Sequence, residues 1–481
     1  MSEVRKLSLP TMLAFGVGQA AEGMKNQAFN VFLVFYYQQV IGLPGWMSGL
    51  ALGIALFFDA ITDPLMGVIS DRTRGRFGRR HPWMLASAPP LFLSFGALFM
   101  PPDGLTQWGY FIWLTLFAVL VRASLTLLHV PHLSLGAEMA KDYHQRSTMY
   151  AFGVVFSITA HALVSFIGYR FFFPTTAEYS PGTLNPDGYA SFGWFWACAM
   201  VICIVVLCAG TWKEIPHLRA VQVETALSLR SALNEFRDVF RNRSYRLIFI
   251  GMLISTFAVS VDGILSPYMG VHFWGLTTEQ LSLVAFATLT GIWIGMFLAP
   301  IITRKLDKRL ALVVPAVIVV INVNVPLVPR LLDVSWFPEN GDPAVFWIYF
   351  VRYFIQGLCL PSIFASFNSM FADIADEVEL ESGGRREGII FSSRSFANKM
   401  TGALGAIVGG LVLDIIAFPQ GARAGTVPED TIWWLGMVEG PMVYAVSLIG
   451  VLFYLRYKIT SARHAEIRSQ LAERHAAATS G

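Results

Sequence analysis

Charge is scarce in this sequence: Asp, Glu, Lys and Arg make up 14% of 481 residues, against roughly a quarter in soluble domains. Apolar residues reach 55% and gather in long blocks, which excludes an ordinary water-soluble domain and points to an integral membrane protein. Cysteine is equally sparse. Cys198, Cys203, Cys208 and Cys359 all fall inside apolar blocks with no CxxC spacing, so a disulfide framework and a zinc module are excluded and packing roles remain. The nine histidines are scattered, and a net charge of +3 gives no reason to invoke nucleic acid. No nucleophile with a matching base stands out, so the chain does not read as an enzyme, and no polar stretch is long enough for a soluble partner domain.

What is present is a series of segments long enough to cross a bilayer, each needing about 20 mostly apolar residues. Twelve are expected, at 11–37, 45–70, 82–101, 109–136, 148–173, 194–211, 247–274, 281–302, 310–328, 344–371, 388–418 and 432–457. They imply an all-α protein with an N-terminal six-helix half (1–212), a basic connector (213–246), a C-terminal six-helix half (247–457) and a tail (458–481). Outside the spans, nearly all Lys and Arg fall in connectors on one side; Arg170, Arg330 and Arg423 are the exceptions on the other. The positive-inside rule then puts both termini in the cytoplasm. The first 25 residues lack a small-residue cleavage site and read as the first span. In the connector, Leu229, Leu233, Phe236 and Phe240 recur at helical spacing among charged residues, as in an amphipathic helix on the inner membrane face.

Against that apolar background Asp59 and Asp63 stand out, one helical turn apart in GWMSGLALGIALFFDAITDPLMGVIS. Ionisable groups inside a span are costly and default to function. At spacing i, i+4 both carboxylates share one helix face and can close on one small cation. Pro64 has no N–H to offer the Ala60 carbonyl, which lies between them. At about 1.5 Å per residue, Asp59 lies roughly 16 Å in from Ser70, Lys399 from Gly388 and Glu22 from Thr11, and His129 roughly 13 Å in from Glu138. These groups share one depth near the midplane, where transporter sites form.

The run DAITDPLMGVISDRTRGRFGRRHPW from Asp59 resembles the helix II signature of the glycoside-pentoside-hexuronide:cation symporters of the major facilitator superfamily. The likeness extends to HVPHLSLGAEM from His129, to Arg146 and to MFADIADEVELESGGRREGIIFSSRSFANK from Met370. It implies the major facilitator fold and cation-coupled symport, by alternating access, of a glycoside or related small solute in the cell inner membrane. The coupling cation would be Na+ or H+, with no organic cofactor, and the protein is expected to work as a monomer surrounded by lipid. By the same likeness Asp59 and Asp63 are cation carboxylates, and metal ligands if the ion is Na+. Thr62 and Thr126 become neutral ligands, and Lys399 the residue that couples cation to solute.

Departures from the sugar-transporting pattern also matter. Helix V begins MYAFGVVF without an arginine, and His129 stands where those members carry an acid. His-Val-Pro at that position resembles instead the sodium-dependent lysolipid transporters, so a cation-coupled transporter or flippase of a lysolipid or other amphiphile is the alternative. Glu22, His129 and His132 are the substrate-site candidates. Asp71, Glu138, Arg146, Asp373, Asp376, Arg385 and Arg386 cluster in matching cytoplasmic loops and are candidates for an inner gate of salt bridges. Asp262, Arg122 and Arg352 lie in the outer half by rise arithmetic and read as an outer gate or a static brace, with the brace slightly favoured.

Overall fold

The computed structural model describes residues 7–140, 142–218, 236–384 and 386–480, and among them the chain is helical with no strand. The chain forms two compact units. The first comprises Met1–Ala226, Gly263–Phe286 and Ala406–Ile432. It begins with α1 (Leu9–Gln27), capped by the Ser8 hydroxyl on Thr11 N and prolonged by π-helical turns at Ala28–Leu33 and Tyr36–Val40. Next come α2 (Gly45–Arg72), α3 (His81–Ala86), α4 (Ala88–Leu98), α5 (Gln107–Met139), α6 (Tyr143–Ile167) and α7 (Asp187–Thr211). The span expected at 82–101 is broken at Ser87, because Pro89 and Pro90 offer no N–H to the preceding turn. α2 packs on α5, and α1 packs on α6 and α7. Those pairings bring Asp59 and Asp63 to the inner face of α5.

α8 (Arg243–Tyr268), α9 (Thr278–Lys305), α12 (Glu387–Ile415) and α13 (Glu429–Met437) contribute residues to both units, whereas α10 (Lys308–Leu331), α11 (Pro343–Ser382), α14 (Val443–Leu455) and α15 (Ser461–Ser480) belong to the second. Within the first unit, α2 and the end of α12 meet at backbone distance: a Cβ on Gly45 would lie 2.3 Å from the Gly410 carbonyl oxygen. Small residues permit such close crossings in membranes. Asp414 then caps α2, its carboxylate accepting from Gly45 N at 2.9 Å and Trp46 N at 2.6 Å. In the second unit, Tyr245, Ile248, Leu312, Met370, Phe371, Ile374, Ile390 and Tyr454 build the core with Ile467 of α15.

Ten helices among the described residues are long and apolar enough to cross a membrane. The other two expected spans are also helical: α1 with its π turns, made more polar by Gln19, Glu22, Lys25, Asn26 and Gln27, and the proline-broken pair α3 and α4. Large apolar side chains such as Phe297, Ile202 and Ile112 stand 77%, 62% and 60% exposed, as lipid-facing residues do. The expected connector helix lies largely outside the described residues. Its end, 236–241, is helical, with Phe236 and Phe240 packed on the second unit's core.

Candidate functional site

Thr126 of α5 is buried and joins the two aspartates. Its hydroxyl lies 3.0 Å from Asp59 Oδ1 and 2.9 Å from Asp63 Oδ1. A hydroxyl has a single proton to donate, so it cannot satisfy both carboxylates at once. Arg122, one turn earlier on α5, reaches Asp59 Oδ2 at 3.4 Å and lies over the Phe29 ring at 5.7 Å. This corrects the grouping of Arg122 with Asp262 and Arg352: the long side chain pairs it with Asp59. Rise along the axis fixes depth but not the direction a side chain takes.

Glu22 and Lys25 form an i, i+3 ion pair at 2.9 Å, completed by Asn26, which accepts from Lys25 at 2.7 Å and donates to Glu22 at 3.1 Å. Arg122 interacts electrostatically with Glu22, Asp59 and Asp63, and Lys25 with Glu22 and Asp59. With all five groups ionised, three acids face two bases and the cluster carries one negative charge. A single monovalent cation would neutralise it.

The remaining candidates take different places. Thr62 turns its hydroxyl to the Asp59 backbone carbonyl at 3.4 Å. His129 is half-buried and interacts electrostatically with Glu22. His132 is buried between α5 and α1, its Nε2 2.9 Å from the Phe15 carbonyl oxygen and its Nδ1 3.4 Å from Gln19 Nε2. The carbonyl must accept, so Nε2 carries the proton and Nδ1 is left to accept from Gln19: a neutral imidazole tying two helices together. Lys399 is half-buried on α12 in the second unit.

The inner-gate candidates divide between the units. In the first, Arg80 pairs with Asp71 and with Glu138 at 2.7 Å, and Arg79 adds a contact to Glu138 at 3.0 Å. Arg146 donates to the Ala137 and Ala140 carbonyls, a cation at the C-terminus of α5. In the second, Lys308 holds Asp373 at 2.7 Å, His464 of α15 lies 2.8 Å from Asp376, and Arg386 pairs with Asp238 at 3.0 Å. Arg385 lies outside the described residues. Arg79 and Arg80 stand in the basic run DRTRGRFGRR and Lys308 in the basic run RKLDKR, both legible in the sequence; His464 and Asp238 carried no such signal.

Sequence reasoning missed Glu439. Its carboxylate is fully buried and meets Arg352 Nη2 at 2.9 Å. The signal was available, since Glu439 is an ionisable residue in the apolar stretch 432–457. Among the described residues no group of three or more His, Cys, Asp or Glu is arranged to hold a metal ion.

Residues 14–461 match the family model described as MFS/sugar transport protein. The chain belongs to this family. It is a multi-pass, all-α membrane transporter of the major facilitator class, not an enzyme. It is 25% identical to a putative glycoside/cation symporter, YagG, of Escherichia coli, over 98% of this chain and 96% of that one. A sodium-dependent lysophosphatidylcholine symporter of Gallus gallus is 22% identical over 97% and 89% of the two chains. The fold matches the xylose transporter XylE of E. coli, with TM-score 0.61, 15% identity, and 95% and 98% of the two chains covered.

Proposed function

We propose that the protein couples the inward movement of one monovalent cation, Na+ or H+, to a glycoside or related small solute by alternating access. The observation that carries this reading is the convergence of Asp59, Asp63 and the Thr126 hydroxyl in a cluster short of one positive charge. Two carboxylates and a hydroxyl are the hard oxygen donors a small cation takes, and the Ala60 carbonyl left without a proline N–H can add another. Lys399 serves as the coupling residue: empty carboxylates attract it, and an occupied site releases it toward the solute. Coupling is reciprocal, so the solute must raise cation affinity by the factor that the cation raises solute affinity. The distribution of Lys and Arg supports an inner-membrane topology with both termini cytoplasmic.

A lysolipid or similar amphiphile is the second reading for the cargo, favoured by His129 in place of an acid and by the lysophosphatidylcholine symporter among the relatives. Proteoliposomes with an imposed sodium or proton gradient, offered a radiolabelled glycoside set and a lysolipid set, separate the two. Gradient-driven accumulation of a glycoside supports the first reading. Accumulation of lysolipids alone replaces it with the second, and accumulation of neither class under either gradient overturns both.

A further inference from the structure

The second unit holds another pair of acids that the cation site does not use. Asp262 of α8 and Glu439, in the π-helical turn Val438–Met442, face each other closely enough for their carboxyls to interact electrostatically. Arg352 of α11 meets Glu439 Oε1 at 2.9 Å, and the Tyr444 hydroxyl of α14 lies 3.3 Å from Asp262 Oδ1. The Arg352 guanidinium sits 5.5 Å from the Tyr349 ring centre and 5.3 Å from that of Tyr353. From α10 two uncharged groups approach: Asn322 donates to the Arg352 carbonyl at 2.8 Å, and Asn324 lies near Gly440. The titratable and charged groups facing the pair are therefore Arg352, Tyr349, Tyr353 and Tyr444.

Charge counting limits what this cluster can be. Two ionised acids and one arginine leave one negative charge in a place where Glu439 and Arg352 are 1% and 2% exposed. Two carboxyls share a hydrogen bond only if one of them holds a proton. Glu439 Oε2 is buried and meets no hydrogen-bond donor among the described side chains and backbone, and a proton between the acids would supply it. Glu439 is sealed, whereas Asp262 is partly exposed and offers the way in and out.

We propose that Asp262 and Glu439, braced by Arg352, form a proton-binding site of the C-terminal half, separate from the cation carboxylates, with Asp262 as the group that exchanges the proton. Protonated, the cluster is neutral. Deprotonated, it carries a buried negative charge, so gain and loss of the proton bias the packing of α8 against α11 and α14. This goes beyond the cation reading and does not depend on it.

The test is pH-difference infrared spectroscopy of the purified full-length chain in lipid, reading the carbonyl stretch of protonated carboxyl groups. The wild type is expected to show a titrating band that disappears in Asp262→Asn, is lost or shifted in Glu439→Gln, and survives in the double variant Asp59→Asn/Asp63→Asn. Glu439→Gln leaves Arg352 without its partner and is read only if thermal unfolding shows a folded protein; the isosteric Asp262→Asn and the proton-retaining Asp262→Glu decide otherwise, with the band restored in the latter. Absence of the band, a band that does not titrate, or one indifferent to Asp262→Asn would each overturn the proposal. Loss of the band in the Asp59→Asn/Asp63→Asn variant would assign the proton to the cation site instead.

Discussion

The two acid clusters are built from the same parts and differ in how they are closed. Asp59 and Asp63 have Arg122 at 3.4 Å and the Thr126 hydroxyl, and a second ion pair, Glu22 with Lys25, stands by. Asp262 and Glu439 have Arg352 at 2.9 Å and the Tyr444 hydroxyl, with aromatic rings where the other cluster has further charges. A loosely held pair with a shared hydroxyl can rearrange around an incoming cation. A pair with one acid sealed against a tight arginine has room for little beyond a proton. On the proposed reading, what separates the ion site from the proton site is not the count of carboxylates but the looseness of the arginine and the number of nearby charges.

The comparison breaks most visibly at the aspartates. Asp59→Asn or Asp63→Asn is expected to abolish gradient-driven accumulation in proteoliposomes while leaving the protein folded; wild-type accumulation by both variants would contradict the assignment. Next in size is the arginine contrast. Arg352→Gln strands a buried acid and should destabilise the protein by about 3–5 kcal/mol, most of it recovered in Arg352→Gln/Glu439→Gln. Arg122→Gln should cost clearly less, because its contact is longer and Lys25 remains nearby. Thermal unfolding in detergent ranks them, and equal losses would remove the distinction between loose and tight.

Lys399→Ala should insert normally yet lose the stimulation of solute binding by cation, read from solute affinity with and without saturating ion. Unchanged stimulation would count against its coupling role. The smallest expected effect lies between the two threonines. Thr126→Ala removes a hydrogen bond to charged groups worth about 1.5–3 kcal/mol, so cation affinity should fall by about tenfold or more, whereas Thr62→Ala should change it by less than about twofold. Equal effects would mean that Thr62 turns toward the ion once it binds.

Much of this was legible in the chain. Asp59 and Asp63 announced themselves as ions in an apolar helix, and the depth arithmetic set Glu22 and His129 at their level; Glu22 interacts electrostatically with both Arg122 and His129. Partners across helices were not legible. Periodicity gives the face of one helix but not the neighbour it meets, so Arg122 was grouped with Asp262 rather than with Asp59, and Glu439 was passed over. The same blindness applies to Arg146, which finds the carbonyls closing α5, and to His132, whose two nitrogens are taken by α1. Hydropathy also overstated regularity: an apolar run cannot report that Pro89 and Pro90 interrupt a span at Ser87.

The division of labour between the clusters is tested most directly by equilibrium binding of the coupling ion to the purified chain, followed as sodium uptake or, in sodium-free buffer, as proton uptake. The account predicts one saturable sodium ion per chain in the wild type, retained in Asp262→Asn and lost in Asp59→Asn; where the coupling ion is a proton, the wild type takes up two protons and Asp59→Asn and Asp262→Asn each lose one. Binding that survives Asp59→Asn and disappears in Asp262→Asn would contradict it.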